Sequence, residues 1–185
     1  MDNDAGRYRR FLDGDDNGLR EIIDEHYSGL TLYINSILSD VSETEEVIQD
    51  TFVKLAVKKP KFNGKSSFKT WLYAIARNCA LNYLKRYRAR FSGKPIDDYF
   101  ELADENDIEA EYIKSEQNLE LHRVLRTLKP EYSQVLYLMY FEQFDTENIA
   151  KIMHKSKKQV GDLLYRAKQS LKTNLEKAGF QYEEF

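Results

Sequence analysis

Between Thr51 and Ile96 the chain carries twelve Lys and Arg and eight aromatic residues, with no Asp or Glu among them. Cations at that density follow phosphates and rings stack on unpaired bases, which is the chemistry of a single-stranded nucleic-acid surface. Ordinary surfaces mix charge signs, and the whole chain is acidic, at net −3, so the block is a local device. The competing reading is a solvated basic face with its rings in the core. Phe52 and Phe68 suit a core, and Trp71 suits either place. A second constellation lies near the C-terminus. Lys151, Lys155, Lys157, Lys158, Arg166, Lys168 and Lys172 surround a short helix, a tight turn and a longer helix, against one acid, Asp162. That is the pattern of a helix-turn-helix, whose second helix enters the DNA major groove by its N-terminal end. An ordinary helical hairpin with a basic face has the same pattern.

Enzyme chemistry finds little footing. His26, His122 and His154 lie far apart without metal-ligand spacing. The eight glycines are scattered singly, so there is no phosphate-cradling loop. The carboxylates of residues 40–50 form a helix face and not a paired acid and base. Cys79, the single cysteine, falls on a helix core stripe as a small hydrophobe. The expectation is a protein that binds, with no catalytic residue, metal or cofactor.

These surfaces need helices to position them. Tyr8, Phe11 and Leu12 begin an apolar stripe, Asp13–Gly18 is turn chemistry, and Leu19, Ile22, Ile23, His26, Tyr27, Leu30, Ile34, Ile37 and Leu38 recur at helical spacing. Ser42 and Glu45 read as a capping box opening a helix to about Lys58, with Val47, Ile48, Thr51, Phe52 and Leu55 buried. Pro60 and Asn63-Gly64 mark a loop over residues 59–67, and Ser66 or Ser67 can cap the long helix that follows, to about Arg88. Phe68, Leu72, Ile75, Cys79 and Tyr83 form its core stripe. Trp71, Asn78, Asn82 and Lys85 share a neighbouring polar stripe where a strand could lie. Residues 92–107 are acidic and aperiodic, a linker. A helix resumes over 108–128, and Pro130 opens another running to Tyr140. Asp145 caps a short helix with Ile149, Ile152 and Met153, and His154-Lys155 is the turn. Ser156 and Gln159 form a second capping box, before a seam of Val160, Leu164, Ala167 and Leu171.

The fold class is therefore all-α: two small helical domains, 1–91 and 108–185, joined by an acidic linker at 92–107, the second a helix-turn-helix. Charge is segregated to match, at net −9 over residues 1–50, +12 over 51–96, −9 over 97–120 and +3 over 121–185. Such alternation implies modules with different partners. The first residues lack the apolar run of a signal peptide, no stretch approaches the roughly 18 apolar residues of a membrane span, and one cysteine fits a reducing compartment. The chain is expected to be cytoplasmic, without membrane insertion.

Asp40-x-x-Glu43…Glu46-Val-Ile-Gln49-Asp50-x-Phe52, followed by Phe62-x-Gly64-x-Ser66-x-Phe68-x-x-Trp71-Leu-x-x-Ile75-Ala76-x-Asn78, resembles the second conserved region of bacterial sigma factors, in the form found in the extracytoplasmic-function group. Leu125-x-x-Leu128…Val135-Leu136…Tyr140-Phe141-Glu142…Ile149-Ala150…Val160…Leu164-Tyr165-Arg166-Ala167 looks like the fourth region. The resemblance spans nearly the whole chain. It implies an alternative sigma factor that binds core RNA polymerase and directs transcription initiation at promoter DNA. Asp40, Glu43, Glu46, Gln49 and Asp50 would then meet the polymerase clamp helices. Phe62, Asn63, Lys65, Ser66, Lys69, Trp71, Arg77, Asn78, Asn82, Lys85 and Arg86 would hold the unpaired non-template strand of the minus-ten element. Lys155, Lys157, Lys158, Gln159, Asp162, Tyr165, Arg166 and Lys168 would meet the minus-thirty-five element as duplex. An anti-sigma factor is a further partner that the resemblance admits. The rivals are a stand-alone helix-turn-helix regulator and a nucleic-acid-processing enzyme.

One run departs from the pattern. Where the family usually opens its recognition helix with a Thr-Val-Lys-Ser-Arg-like run, this chain has Gln159-Val160-Gly161-Asp162-Leu163. Two basic positions are lost, and an acid and a glycine take the groove face, so the DNA preference of relatives does not transfer. Asp162 either accepts a hydrogen bond from a cytosine amine or serves the positive helix N-terminus.

Overall fold

The computed structural model describes residues 3–90 and 116–177, with Gly179. Every regular element among them is helical. In chain order these are α1 (Asn3–Leu12), α2 (Asp16–Leu38), α3 (Val41–Val53), α4 (Phe68–Arg90), α5 (Glu116–Arg126), α6 (Pro130–Leu136), α7 (Thr146–Met153) and α8 (Lys157–Lys177). α3 continues through a wide π turn at Lys54–Lys58, and α6 through another at Tyr137–Phe141. The expected linker at 92–107 and the helix expected over 108–115 lie outside the described residues.

α2 is the central post. α1, α3, α4 and α6 all pack on it, and most of its C-terminal half is buried, from Leu30 and Thr31 through Tyr33 to Leu38. α1 lies close enough to α2 that only a glycine fits at Gly18. Tyr8 and Phe11 fill the joint, while Leu12, expected on that stripe, is 41% exposed. Arg7 bridges Asp4 and Glu21, at 2.7 and 3.0 Å, across the outer face of the pair. His26 is buried against Asp4, with Nε2 2.8 Å from Oδ2.

Most of the expected helix ends are observed. Asp145 caps α7 by accepting from the Asn148 N–H at 2.7 Å. Ser156 and Gln159 form the full reciprocal box, at 3.2 and 2.8 Å. Pro130 takes the first position of α6. Of the two serines before α4, Ser67 is the cap and accepts from the Thr70 N–H at 3.1 Å. The cap of α3 differs from expectation: it is Asp40, not Ser42, accepting from the Glu43 N–H at 2.7 Å. Asp40-x-x-Glu43 has capping-box spacing of its own and starts the helix sooner, which places Ser42 within the first turn.

The core of α4 also differs. Phe68 and Leu72 are buried as expected, but Ile75, Cys79 and Tyr83 are half-buried. Thr70, Tyr73, Ala76, Arg77 and Ala80 are buried instead. A second face of α4 is covered by α7 and the segment before it, so this helix is packed from two sides.

Candidate nucleic-acid interface

The loop at residues 59–67 is held by a ring cluster. Tyr8, Phe62, Phe68 and Trp71 pack with centroids 5.2–5.5 Å apart. Tyr8 donates its hydroxyl hydrogen to the Pro60 carbonyl at 2.9 Å, tying α1 to the loop. Asn63 turns the loop by accepting from the Lys65 N–H at 3.0 Å, and Gly64 takes a positive φ of 71°, which glycine adopts without strain. Phe62 and Trp71 are therefore half-buried supports as much as stacking surfaces. Asn63 and Lys65 are exposed on the loop's outer side, and Ser66 is half-buried.

Along α4 the expected strand-binding residues divide. Asn82, Lys85 and Arg86 are exposed. Arg77 is 7% exposed, and its Nε donates to Gln134 Oε1 on α6 at 3.3 Å. Burial raises the pKa of Tyr33, and the Arg77 charge opposes that shift. Asn78 Oδ1 lies 3.2 Å from His154 Nε2 in the turn between α7 and α8. Lys69 forms an ion pair with Glu142 at 2.8 Å. Three members of the expected surface are thus engaged by the C-terminal half of the same chain.

The acidic face of α3 stands apart. Glu46, Gln49 and Asp50 are exposed, and Asp50 lies 3.8 Å from Arg86. Asp40 is committed to its cap. Glu43 is half-buried, and burial, reinforced by the Asp40 carboxylate, raises its pKa. Tyr83 sits beside it, pushed up to about 12 by burial and by the carboxylates of Glu43, Glu46 and Asp40. Val53 and Val57, 56% and 73% exposed, continue the line of Glu46, Gln49 and Asp50 along the helix. Reading the buried stripe alone missed them, though two valines off that stripe were a legible signal.

In the C-terminal unit Lys157, Lys158, Gln159, Asp162, Tyr165, Arg166 and Lys168 are exposed on α8, Tyr165 at 69%, while Val160, Leu163, Leu164 and Ala167 face the core. Lys157 pairs with Glu147 at 2.7 Å, and half-buried Lys155 pairs with Glu131 at 2.9 Å. Asp162 lies within the first two turns of α8, two turns before Lys168. His122 is packed among Tyr137 and Phe141 and bonded to the Tyr137 hydroxyl, a core histidine. An apolar groove of about 600 Å³, unanticipated from the sequence, runs between α5 and α8, with Lys168 and Lys172 on its wall. No group of three His, Cys, Asp or Glu among the described residues could hold a metal ion.

Comparison with known proteins gives this arrangement a context. Residues 22–90 match the Sigma-70 region 2 family model, and residues 118–171 match that of Sigma-70, region 4. The RNA polymerase sigma factor YlaC of Bacillus subtilis is 26% identical over 163 residues, covering 88% of this chain and 94% of its own length. The ECF RNA polymerase sigma-E factor of Haemophilus influenzae is 24% identical over 181 residues, covering 94% and 95%. Among solved structures, CnrH in complex with the cytosolic domain of CnrY aligns with a TM-score of 0.67 at 18% identity, over 94% of this chain and 97% of that one. The sigma factor RpoE of Bartonella quintana, in complex with the anti-sigma factor NepR, aligns with a TM-score of 0.68 at 20% identity, over 85% and 96%.

Proposed function

The chain belongs to the sigma factors of the extracytoplasmic-function group, and on that footing we propose which of its surfaces meets which partner. As an alternative sigma factor it binds core RNA polymerase and directs promoter recognition. The observation that carries this is the order of the two matches, region 2 over residues 22–90 and region 4 over 118–171. A stand-alone helix-turn-helix regulator would have no use for the first.

In the proposed assignment residues 1–91 dock on polymerase and melt the minus-ten element, 92–107 link, and 108–185 read the minus-thirty-five element. Glu46, Gln49 and Asp50 form the polymerase contact, and exposed Val53 and Val57 extend it. Asp40 and Glu43 act one step back, by capping and shaping α3. The ring-braced loop carrying Asn63 and Lys65, with Asn82, Lys85 and Arg86 on α4, receives the unpaired strand. Extruding a base costs a few kcal/mol, and stacking returns about 1–3 kcal/mol per base. Positioned rings and cations then suffice to hold a melted strand. Lys157, Lys158, Gln159, Tyr165 and Arg166 supply the duplex contacts, and Asp162 makes their preference unusual.

The relatives are sigma factors, which are not enzymes, and the proposal for this chain is likewise action by binding alone. Among the described residues no helix is long and apolar enough to cross a membrane, in keeping with a proposed cytoplasmic site of action. The complex of RpoE with the anti-sigma factor NepR, among the structural neighbours, supports an anti-sigma factor as a regulator of this chain too. Co-purification tests the partner assignment. The full chain should elute with core polymerase and bind duplex promoter DNA poorly without it, whereas tight duplex binding without polymerase would favour a stand-alone regulator.

A further inference from the structure

The apolar groove between α5 and α8 opens beside the point where α8 stops. Leu121 and Leu125 line it from α5, Leu171 and Leu175 from α8, with Lys168 and Lys172 on the wall. We propose that this groove is a peptide-binding site for an aromatic, acidic segment, and that the chain's own residues 180–185, Phe-Gln-Tyr-Glu-Glu-Phe, occupy it. Nothing in this seat depends on the polymerase and promoter contacts assigned above.

The end of α8 aims the chain at the groove. Gly179 has a φ of 81° and donates its N–H to the Glu176 carbonyl at 3.2 Å. A Cβ at Gly179 would meet nothing within 4 Å, so the positive φ and not crowding calls for glycine. A left-handed glycine just past a helix, bonded to the carbonyl three residues back, marks a Schellman turn, which takes the chain off the helix axis. In such turns the residue after the glycine commonly makes an apolar contact with the residue five before it. Here that pair is Phe180 and Leu175, and Leu175 is part of the groove.

Reach and charge match as well. From Leu175 back to Lys168 the helix covers about 10 Å at ~1.5 Å per residue. Glu183 and Glu184 follow Phe180 by three and four positions, a span of about 10–13 Å at ~3.3 Å per residue. Both carboxylates therefore reach Lys172 and Lys168. Among the described residues no carboxylate forms an ion pair with either lysine, whereas Lys155 and Lys157 of the same unit pair with Glu131 and Glu147. Tyr140, also in the groove, is 52% exposed, with Lys168 Nζ 5.5 Å from its ring. That exposed ring beside aliphatic side chains offers the surface on which Tyr182 and Phe185 can be buried.

The test compares the full chain with a chain ending at Gly179. Binding of a fluorescein-labelled peptide of residues 180–185 is read by anisotropy, and helix content by circular dichroism. The shortened chain should bind the peptide. The full chain should bind it about tenfold more weakly or worse, because its own segment stands at a local concentration on the order of millimolar. A peptide with Glu183→Lys and Glu184→Lys should lose about tenfold in affinity for the shortened chain. Lys168→Glu with Lys172→Glu in the shortened chain should reverse that preference, which a mere change in stability would not do. The full chain carrying Glu183→Lys and Glu184→Lys, which keeps its length, should likewise open to the unaltered peptide. Equal peptide binding by the full and shortened chains overturns the proposal, as does a folded shortened chain that takes neither peptide or takes both alike. A full-length lysine variant that excludes the peptide as wild type does overturns it too. If both chains sediment as dimers and neither takes the peptide, the groove belongs to a second copy and the proposal falls.

Discussion

Replacing Gly18 with alanine sets two effects of opposite sign against each other. Alanine is favoured over glycine in a helix by about 1 kcal/mol, so helix propensity alone predicts a more stable protein. The structure predicts the reverse. A Cβ at Gly18 would stand 2.2 Å from the Arg7 carbonyl oxygen and 2.9 Å from the Phe11 nitrogen. Both are backbone atoms, so no side chain can swing aside and α1 must retreat bodily by more than 1 Å to restore a 3.4 Å contact. Gaps of about 0.5–1 Å forfeit a quarter to a half of each dispersion contact, and Tyr8 and Phe11 are the residues that lose them. Overpacking of this kind costs about 1–3 kcal/mol. Net of the propensity gain, Gly18→Ala should destabilise by up to about 2 kcal/mol. For a chain of this size that lowers Tm by up to about 8 °C. Trp71, 5.5 Å from the Tyr8 ring, is the single tryptophan and reports the displacement directly. The assay is thermal and urea unfolding followed by Trp71 fluorescence, with Gly161→Ala as control, since nothing lies within 4 Å of a Cβ there. Gly161→Ala should stabilise. If Gly18→Ala stabilises equally, the close packing of α1 on α2 is wrong.

Four further outcomes are expected. Gln49→Ala with Asp50→Ala should weaken core-polymerase binding by about 2–5 kcal/mol, the usual loss when one side of a buried polar pair is removed, while circular dichroism stays unchanged; normal holoenzyme assembly would remove α3 from the interface. In holoenzyme, Lys65→Ala should lower affinity for single-stranded promoter DNA and flatten its salt slope by about one phosphate's worth, whereas Asn78→Ala and Asn82→Ala should alter base preference; equal, sequence-blind losses would leave only an unspecific basic surface. Asp162→Ala and Asp162→Lys, assayed on a randomised upstream element, should change preference at one base position by about 1–3 kcal/mol, and a small stability loss with unchanged preference would reduce Asp162 to a helix-dipole partner. Finally, Glu43 titrates above its ordinary value in the folded chain, through burial and the Asp40 carboxylate. The folded state thus binds that proton more tightly, so ionisation costs stability: the penalty is absent at low pH, grows as pH rises through the raised folded value and is complete at neutral pH. Glu43→Gln should raise the urea midpoint at neutral pH and lose that advantage near about pH 4; an advantage that persists in acid would point to another cause.

Helix ends were largely legible because capping is local chemistry. Asp145, Pro130 and the Ser156–Gln159 box each act within three residues. The miss at Ser42 came from two overlapping boxes, and Asp40 wins because its carboxylate reaches the Glu43 N–H first. The core of α4 was only half legible. Phe68 and Leu72 follow the helical period, but Tyr73 and Arg77 are buried by α6, α7 and the segment between them, more than fifty residues later in the chain. No window on α4 contains that information. The same distance hid the engagement of Lys69 and Asn78, which read as free members of a polar stripe. Gly29, a mid-helix glycine whose Cβ would meet both Glu142 and the Tyr73 hydroxyl, is a local trace of that packing.

As an alternative sigma factor, this chain turns core RNA polymerase into a promoter-selective enzyme. Run-off transcription with core polymerase on a library of genomic fragments tests it most directly, with and without the chain. The chain should produce discrete transcripts, absent with core alone, whose start sites share elements near minus ten and minus thirty-five, and Gln49→Ala with Asp50→Ala should suppress them. Transcripts identical with and without the chain, despite a folded protein that binds duplex DNA alone, would contradict the account.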